Sequence, residues 1–223
     1  MPSRPAGVNA SASSSPPRAP RDGGRPQPKT ARGRASRDKL ITAARDELIQ
    51  RSGNLEVESV ARRAGTSTGL IYRHFGSRAG LVGAVVDDFY TRYRTEALET
   101  NPAPGASMAV RERRRTELSA AFHYHDPLAA IVLSNLHLDS EVGLQEAVHT
   151  NEMIALATKV MRLGITRGQI PKDRDPDLVA AMIIGGMRHV LARSLATGVS
   201  QKRAARQLWT FIAGVMGVDS DGK

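Results

Sequence analysis

The chain has 223 residues, a net charge of +10 and no cysteine. This length supports one medium domain or two small ones without disulfides, and the absence of cysteine excludes thiolate nucleophiles and cysteine-based metal sites. No segment approaches the ~18 consecutive apolar residues of a membrane span. The polar, proline-rich N-terminus does not resemble a signal peptide. We therefore expect a cytoplasmic protein that does not enter membranes.

The positive charge is concentrated near the N-terminus. Residues 1–37 contain eight basic residues and one acid, and residues 38–78 contain seven basic and five acidic residues. The remainder of the chain is nearly neutral. Because neutralising phosphates releases condensed counterions, a one-sided basic segment indicates a nucleic-acid partner. The alternative is a solvated tail that binds nothing specific.

Residues 1–35 consist mainly of Ser, Pro, Ala, Gly and Arg, a composition that predicts a disordered basic arm. Its Gly-Arg-Pro and Arg-Gly-Arg sequences are similar to segments that lay arginines along a narrow minor groove. The candidate groove-binding residues are Arg25, Lys29, Arg32, Arg34 and Arg37. The alternative is a leader that adds only nonspecific attraction.

From residue 36 onward apolar residues recur with helical spacing, and no convincing strand is present. The sequence therefore predicts an all-α fold of about nine helices. Their approximate ranges are 37–51, 57–64, 67–74, 77–98, 107–122, 126–138, 141–166, 175–196 and 200–216.

The second and third of these predicted helices have the spacing of a helix-turn-helix. Ala61 is small enough for the second helix to cross it, Gly65 gives the turn its permissive backbone, and Ile71 closes the small core. Ser67 is a good N-cap, so the third helix should present its N-terminus and its polar side chains to a DNA groove.

The sequence of residues 65–81, GTSTGLIYRHFGSRAGL, resembles the signature of the TetR family of repressors. The resemblance covers about residues 37–86, with Arg78 where the family usually has Lys. This resemblance and the helix-turn-helix spacing together indicate the DNA-binding residues. We expect phosphate contacts from Ser67, Tyr72, His74 and Arg78, base-edge contacts from Thr68, Gly69 and Arg73, and a contribution from Thr66 to the same surface.

The resemblance also implies a domain organisation. A disordered arm (1–35) would precede the helix-turn-helix domain (36–82), a helical domain for effector binding and dimerisation (83–217) and a flexible tail (218–223). The last two helices are apolar on more than one face and contain Ala180, Ala181, Gly185 and Gly186, so they should form the homodimer interface.

The family resemblance implies a ligand-responsive dimeric repressor, released from a palindromic DNA operator by a small hydrophobic molecule. The candidate ligand-binding residues are Met108, His123, Tyr124, His137, Met153, Met182 and His189. We expect no cofactor. The histidines near Asp126 are a weak signal for a metal, because they lack a fixed partner spacing, and we expect no metal site.

Two other functions are consistent with parts of the sequence. An architectural DNA-binding protein without an effector would also use a basic arm and a dimer. Residues 65–69 match the G-x-S-x-G pattern of serine hydrolases, but that nucleophile requires a strand before the turn. The residues before Gly65 have a helical pattern, so we do not expect an enzyme.

Overall fold

The computed structural model describes residues 30–134 and 140–220. These two ranges contain helices, turns and loops but no β-strand. The all-α prediction is therefore confirmed. A π-helical turn, Arg94–Leu98, continues the fourth helix. In chain order the α-helices are α1 (Ala31–Gln50), α2 (Val57–Ala64), α3 (Thr68–Phe75), α4 (Arg78–Tyr93), α5 (Met108–His125), α6 (Ala129–Ser134), α7 (Ser140–Thr166), α8 (Pro176–Ala196) and α9 (Gln201–Met216).

The first helix begins earlier than the sequence predicted. Thr30 lies in extended backbone and its Oγ1 accepts a hydrogen bond from the Gly33 amide, which caps a helix that starts at Ala31. Alanine and arginine are good helix formers, and with this cap they outweigh the cost of Gly33. Arg32, Arg34 and Arg37 therefore belong to α1 and not to an extended arm, which corrects that part of the arm prediction.

The N-terminal helices surround a small core of their own residues. The helix α1 packs against α2 and α4, and α3 contacts both α2 and α4. The side chains at the centre of this core are fully buried: Leu40, Ala44, Leu48, Val60, Ile71, Phe75 and Leu81.

The helix α4 joins the two parts of the fold. Its first turns complete the N-terminal core, and its later turns pack against α7. Leu81, Val85 and Phe89 of α4 belong to one cluster of buried residues that continues to Phe122 and Val142. The predicted boundary between residues 82 and 83 therefore lies inside a helix that both parts share. A movement of α4 would reach both parts.

A second core lies between α5, α7, α8 and α9, with Met161, Leu191, Leu208 and Met216 at its centre. The helix α8, Pro176–Ala196, is long and apolar enough to cross a membrane by length and composition alone. No such candidate was expected from the sequence. In this fold α8 packs against α6, α7 and α9, and core helices of soluble proteins meet the same criterion.

Candidate nucleic-acid interface and internal cavity

The turn between α2 and α3 depends on Gly65. This residue has φ 60° and ψ 45°, the left-handed conformation, and its amide and that of Thr66 close the end of α2 by bonding to Arg62 and Ala61 carbonyls. A side chain is disfavoured in this conformation. The backbone thus changes direction between Ala64 and Ser67, as the sequence predicted.

The helix α3 has one buried face and one exposed face. Ile71 and Phe75 are buried in the N-terminal core, whereas 47% of Tyr72 is exposed and Arg73 is also exposed. Ser67 caps the helix, since its Oγ accepts a hydrogen bond from the Leu70 amide at 3.4 Å. The N-terminus of α3 lies beside this exposed face, and the backbone amides at a helix N-terminus suit phosphate binding.

The structure brings the eight predicted DNA-binding residues together on α3, on the turn that precedes it and at the first residue of α4. Those that are exposed are Ser67, Gly69, Tyr72, Arg73 and Arg78, and those that are half-buried are Thr66, Thr68 and His74. Arg78 has a second partner that the sequence did not predict. Its Nε donates to the Leu55 carbonyl at 2.9 Å, so Arg78 also fixes the loop that leads into α2.

The charge at the C-terminal end of α3 affects His74. Burial, together with the positive charges of Arg73 and Arg37, lowers the pKa of His74 below its ordinary value. Arg37 itself lies over the Phe75 ring, with its guanidinium carbon 5.3 Å from the ring centre. His74 is therefore mainly neutral at pH 7 in the free protein.

Of the residues predicted to form the groove-binding arm, Arg25 and Lys29 lie outside the described residues. Arg32 and Arg34 are exposed on the first turns of α1. A cation that sequence reasoning missed lies closer to the turn: an ideal Cβ on Gly65 would be 3.9 Å from Nζ of Lys39. Lys39 and Gly65 are far apart in the sequence, so no local pattern indicated that they lie close together in the fold.

A buried carboxylate fixes α2 against α1. Glu47 of α1 is 1% exposed, accepts a hydrogen bond from the Ser59 hydroxyl at 2.9 Å and pairs with Arg51 at 2.8 Å and with Arg63 at 3.5 Å. Burying a charge is costly unless it is paired and hydrogen-bonded. Arg51 and Arg63 pair the charge and Ser59 supplies a hydrogen bond. Because Ser59 and Arg63 belong to α2, they hold α2 against α1.

The second part of the fold contains a cavity of about 140 Å³ between α5, α7, α8 and α9. Four polar residues that line it lie on one stripe of α5: Glu112, Arg115, Thr116 and Ser119. Most of the other lining residues are apolar and come from the three facing helices: Met153, Leu156, Ala157, Val160, Met161, Ile183, Ile184, Met187, Ile212 and Met216. The cavity thus has mainly apolar walls, a polar side on α5 and one further carboxylate, that of Glu99.

Two other spaces share lining residues with this cavity. An outer space of about 200 Å³ shares Glu112, Arg115 and Val160 with it. An inner space of about 50 Å³ shares Met153, Ile184 and Met187 with it and reaches Tyr90 and Arg188. The three spaces are therefore neighbours, and Tyr90 and Tyr93 of α4 line the inner one.

The predicted ligand-binding residues divide between these spaces and other places. Met108 lines the outer space, His123 the inner space, and Met153 both the cavity and the inner space. Tyr124 instead donates its hydroxyl hydrogen to the Val199 carbonyl. His137 lies outside the described residues.

Met182 and His189 require a correction. Both are exposed on α8 and line none of these spaces, because they lie on the face of α8 opposite to its core residues. The sequence missed the stripe of α5, whose charged residues resemble a solvated helix face. The spacing 112, 115, 116 and 119 places four polar side chains on one face and could have indicated it.

The inner space is bordered by a polar network between α4, α7 and α8, to which its lining residues Tyr90 and Arg188 belong. Glu146 is buried and accepts hydrogen bonds from the hydroxyl of Tyr90 and from Arg188, which also donates to the Tyr90 oxygen. Burial and the neighbouring Glu146 raise the pKa of Tyr90. Nearby, His149 and Gln145 of α7 both bond to Asp87 of α4. These contacts attach α4 to the walls of the cavity.

Comparison with known proteins agrees with this geometry. Residues 40–85 match the sequence model of the bacterial regulatory proteins of the tetR family. No curated protein matches the chain.

Solved structures match over most of the chain. A TetR-family transcriptional regulator from Rhodococcus sp. is 24% identical, with a TM-score of 0.65 over 81% of this chain and 98% of that one. One from Syntrophomonas wolfei is 13% identical, with a TM-score of 0.71 over 82% and 95%. SmeT of Stenotrophomonas maltophilia, the repressor of a multidrug efflux pump, is 16% identical, with a TM-score of 0.66 over 80% and 88%. At these low identities the structural similarity shows the fold alone, which is TetR-like.

The matches are to transcriptional regulators and not to enzymes. The local structure also excludes a hydrolase nucleophile at Ser67. The residues before Gly65 form α2 where that motif requires a strand, and Ser67 is occupied as the cap of α3.

Proposed function

We propose that this chain, which has the DNA-binding domain and the fold of the tetR family of bacterial regulatory proteins, is a dimeric repressor that a small apolar molecule releases from a palindromic operator. The observation that carries the proposal is the exposed polar face of α3 behind the Gly65 turn. The proposal includes the eight residues placed above as the DNA contacts. Arg32 and Arg34 would add nonspecific attraction from the start of α1.

The dimer is supported by unpartnered apolar surface on α8 and α9. Leu178, Met182 and Phe211 are 59%, 51% and 40% exposed. Gly185 of α8 and Gly214 of α9 have open space where a Cβ would be, so another helix could approach closely at both positions. A second copy would cover this surface by two-fold symmetry, and would place two recognition helices on successive major grooves about 34 Å apart.

The effector is supported by the cavity and by a relative. Apolar walls with a few polar groups are typical of small-molecule sites, and the methionines among them adapt to different ligand shapes. SmeT has been solved in complex with triclosan. In this chain the cavity reaches the contacts of α4, through which an occupant would change the separation of the two recognition helices.

The test begins with selection of duplexes from a random library by the full-length protein, followed by footprinting. We expect an inverted repeat protected over one short site, and a dimer in sedimentation equilibrium that Met182→Glu dissociates. Arg73→Ala should lose about 1–3 kcal/mol of discrimination at one base position. Arg206→Ala, which removes an exposed charge from α9, serves as the matched control and should leave sequence preference unchanged.

The architectural alternative gives a different result in the same experiment. Selection would then enrich no inverted repeat, and protection would extend over long DNA without a pattern. That outcome would contradict the repressor proposal.

A further inference from the structure

We propose that the cavity takes an amphipathic monoanion, an apolar chain that ends in a carboxylate, and that Arg115 and Arg111 receive the carboxylate at the outer end. This inference rests on the proposed function, since it specifies the effector of that same cavity. It also identifies the contact through which binding reaches α4.

The distribution of polar groups sets the orientation of the ligand. The facing helices α7, α8 and α9 contribute mainly apolar lining to the cavity. The charged pair Glu112–Arg115 lies where the cavity meets the outer space. An apolar chain would therefore occupy the interior and keep its polar head at this end, because burying an unpaired charge among apolar side chains is costly.

The sign of the charge at this end favours an anion. Arg111 lines the outer space, and its side chain makes no hydrogen bond or ion pair with the residues that the structure describes. Arg115 uses Nε for Glu112, at 3.1 Å, and Nη1 for backbone carbonyls. Its Nη2 has no hydrogen bond within ranges 30–134 and 140–220, so donors remain free.

The acidic groups of the same region are already paired. Glu112 pairs with Arg115, and Glu99 pairs with Arg94 at 3.2 Å. The amides of Asn101 and Gln169 line the outer space as well and can donate hydrogen bonds. Glu112 is the one carboxylate that lines the outer space beside Arg111 and Arg115, and Glu99, which lines the cavity, has Arg94 as its partner. The two arginines therefore suit a carboxylate head, which guanidinium groups bind with charge-assisted bonds. An ammonium head would be repelled by the positive charges of both arginines.

Arg115 also holds the end of α4. Its Nη1 donates to the Leu98 carbonyl, at the end of the π-helical turn, and to the Thr100 carbonyl at 2.9 Å. A carboxylate that draws the guanidinium outward competes with these two acceptors. The C-terminal end of α4 would then lose its anchor, while the other end of α4 packs against α3. One guanidinium thus links the ligand head to the helix that carries the DNA-binding domain.

Calorimetric titration of the full-length protein tests the head group. The probes are octanoate and decanoate, compared with the alcohol and the amine of the same chain length. We expect each acid to bind roughly ten- to a hundredfold more tightly than its alcohol, the gain of hydrogen bonds to a charged group, and the amine to bind more weakly than both. Operator release should follow the same order.

Three substitutions separate the charges. Glu112→Gln removes the competing carboxylate and should tighten the acid while leaving the alcohol unchanged. Arg111→Gln should weaken the acid several-fold. Arg115→Gln should abolish the preference for the acid, and because it also removes the anchor of α4, the first two variants carry the test if it does not fold.

Two outcomes overturn the inference. If the acid and the alcohol bind and release DNA equally, or if the amine binds best and Glu112→Gln weakens it, the head-group assignment is wrong while the sensor function stands. If no probe of any head group binds although the protein still recognises its operator, the sensor function itself is contradicted.

Discussion

Arg45 of α1 and Asp126, which directly follows α5, form an ion pair with 2.8 Å between Nη2 and Oδ1. The other carboxylate oxygen, Oδ2, pairs with Nη1 of Arg92 on α4 at 2.6 Å, and Oδ1 also accepts a bond from the Leu128 amide. One buried carboxylate therefore joins the N-terminal domain, α4 and the α5–α6 loop. Its position makes it a measurable link between the N-terminal helices and the second part of the fold.

Asp126→Asn should lower the free energy of unfolding by about 2 kcal/mol at pH 7, because two arginines lose a buried anionic partner but remain partly exposed. Urea denaturation measures the change. Asp88→Asn is the matched control, since Asp88 also pairs with Arg92 but its side chain is 41% exposed, against 5% for Asp126, and should cost less than about 1 kcal/mol. Equal losses for both variants would contradict the assigned role of Asp126.

The pH dependence of this link follows from the pKa of Asp126. Burial alone would raise that pKa, but the hydrogen bonds from Arg92 and Arg45 lower it overall. A carboxyl group with a lowered pKa in the folded state stabilises the fold above its unfolded pKa of about 3.9, and this stability is lost as the pH falls through the folded pKa. Asp126→Asn should therefore remove this part of the pH dependence of the free energy of unfolding.

Gly65→Ala should cost about 1–2 kcal/mol of stability, because a Cβ is disfavoured at φ 60°. Space is not the cause, since the added Cβ would lie 3.9 Å from Nζ of Lys39. Gly65→Asn is the matched variant and should cost less, since Asn tolerates the left-handed region better than Ala. Thermal denaturation compares the two, and an alanine variant at least as stable as the asparagine variant would contradict the explanation.

DNA affinity should rise as the pH falls from about 8 to 6, through His74. Burial and the charges of Arg73 and Arg37 lower its pKa in the free protein, whereas a nearby phosphate would favour the charged form and raise that pKa in the complex. Binding then takes up a proton, and the affinity gain is at most about tenfold per pH unit. Fluorescence anisotropy at constant salt measures it.

His74→Gln should flatten this pH profile and leave sequence preference in place. His125→Gln, which changes an exposed histidine at the end of α5, is the control and should keep the wild-type profile. If the pH dependence of DNA affinity persists in His74→Gln, a group other than His74 takes up the proton on binding.

Stability should also fall between about pH 6.5 and pH 4, through His123. This ring packs between Phe89, Tyr93 and Phe122, and its burial lowers the pKa to about 4. The unfolded chain therefore binds a proton in this window that the folded chain does not, which costs about 2–3 kcal/mol over the window. Urea denaturation across the window should show this loss in the wild type and a smaller one in His123→Phe.

The helix-turn-helix could be predicted from sequence because its determinants are local. Gly65, the Ser67 cap and the buried positions Ala61 and Ile71 act within one turn and two short helices, so their spacing along the chain equals their spacing in the fold. The start of α1 was missed because a proline- and glycine-rich composition suggested disorder, while a single hydrogen bond at Thr30 starts the helix there.

An all-helical chain with a recognition helix could be predicted from the sequence, because helical periodicity and turn chemistry depend on neighbouring residues. Which side chains meet across the chain followed only from the packing of the helices. Asp126 contacts Arg45, which lies 81 positions away in the sequence. Arg115 of α5 lines the cavity, whereas Met182 of α8 does not. An apolar or charged helix face shows that a partner exists, but which partner it meets depends on how the helices pack.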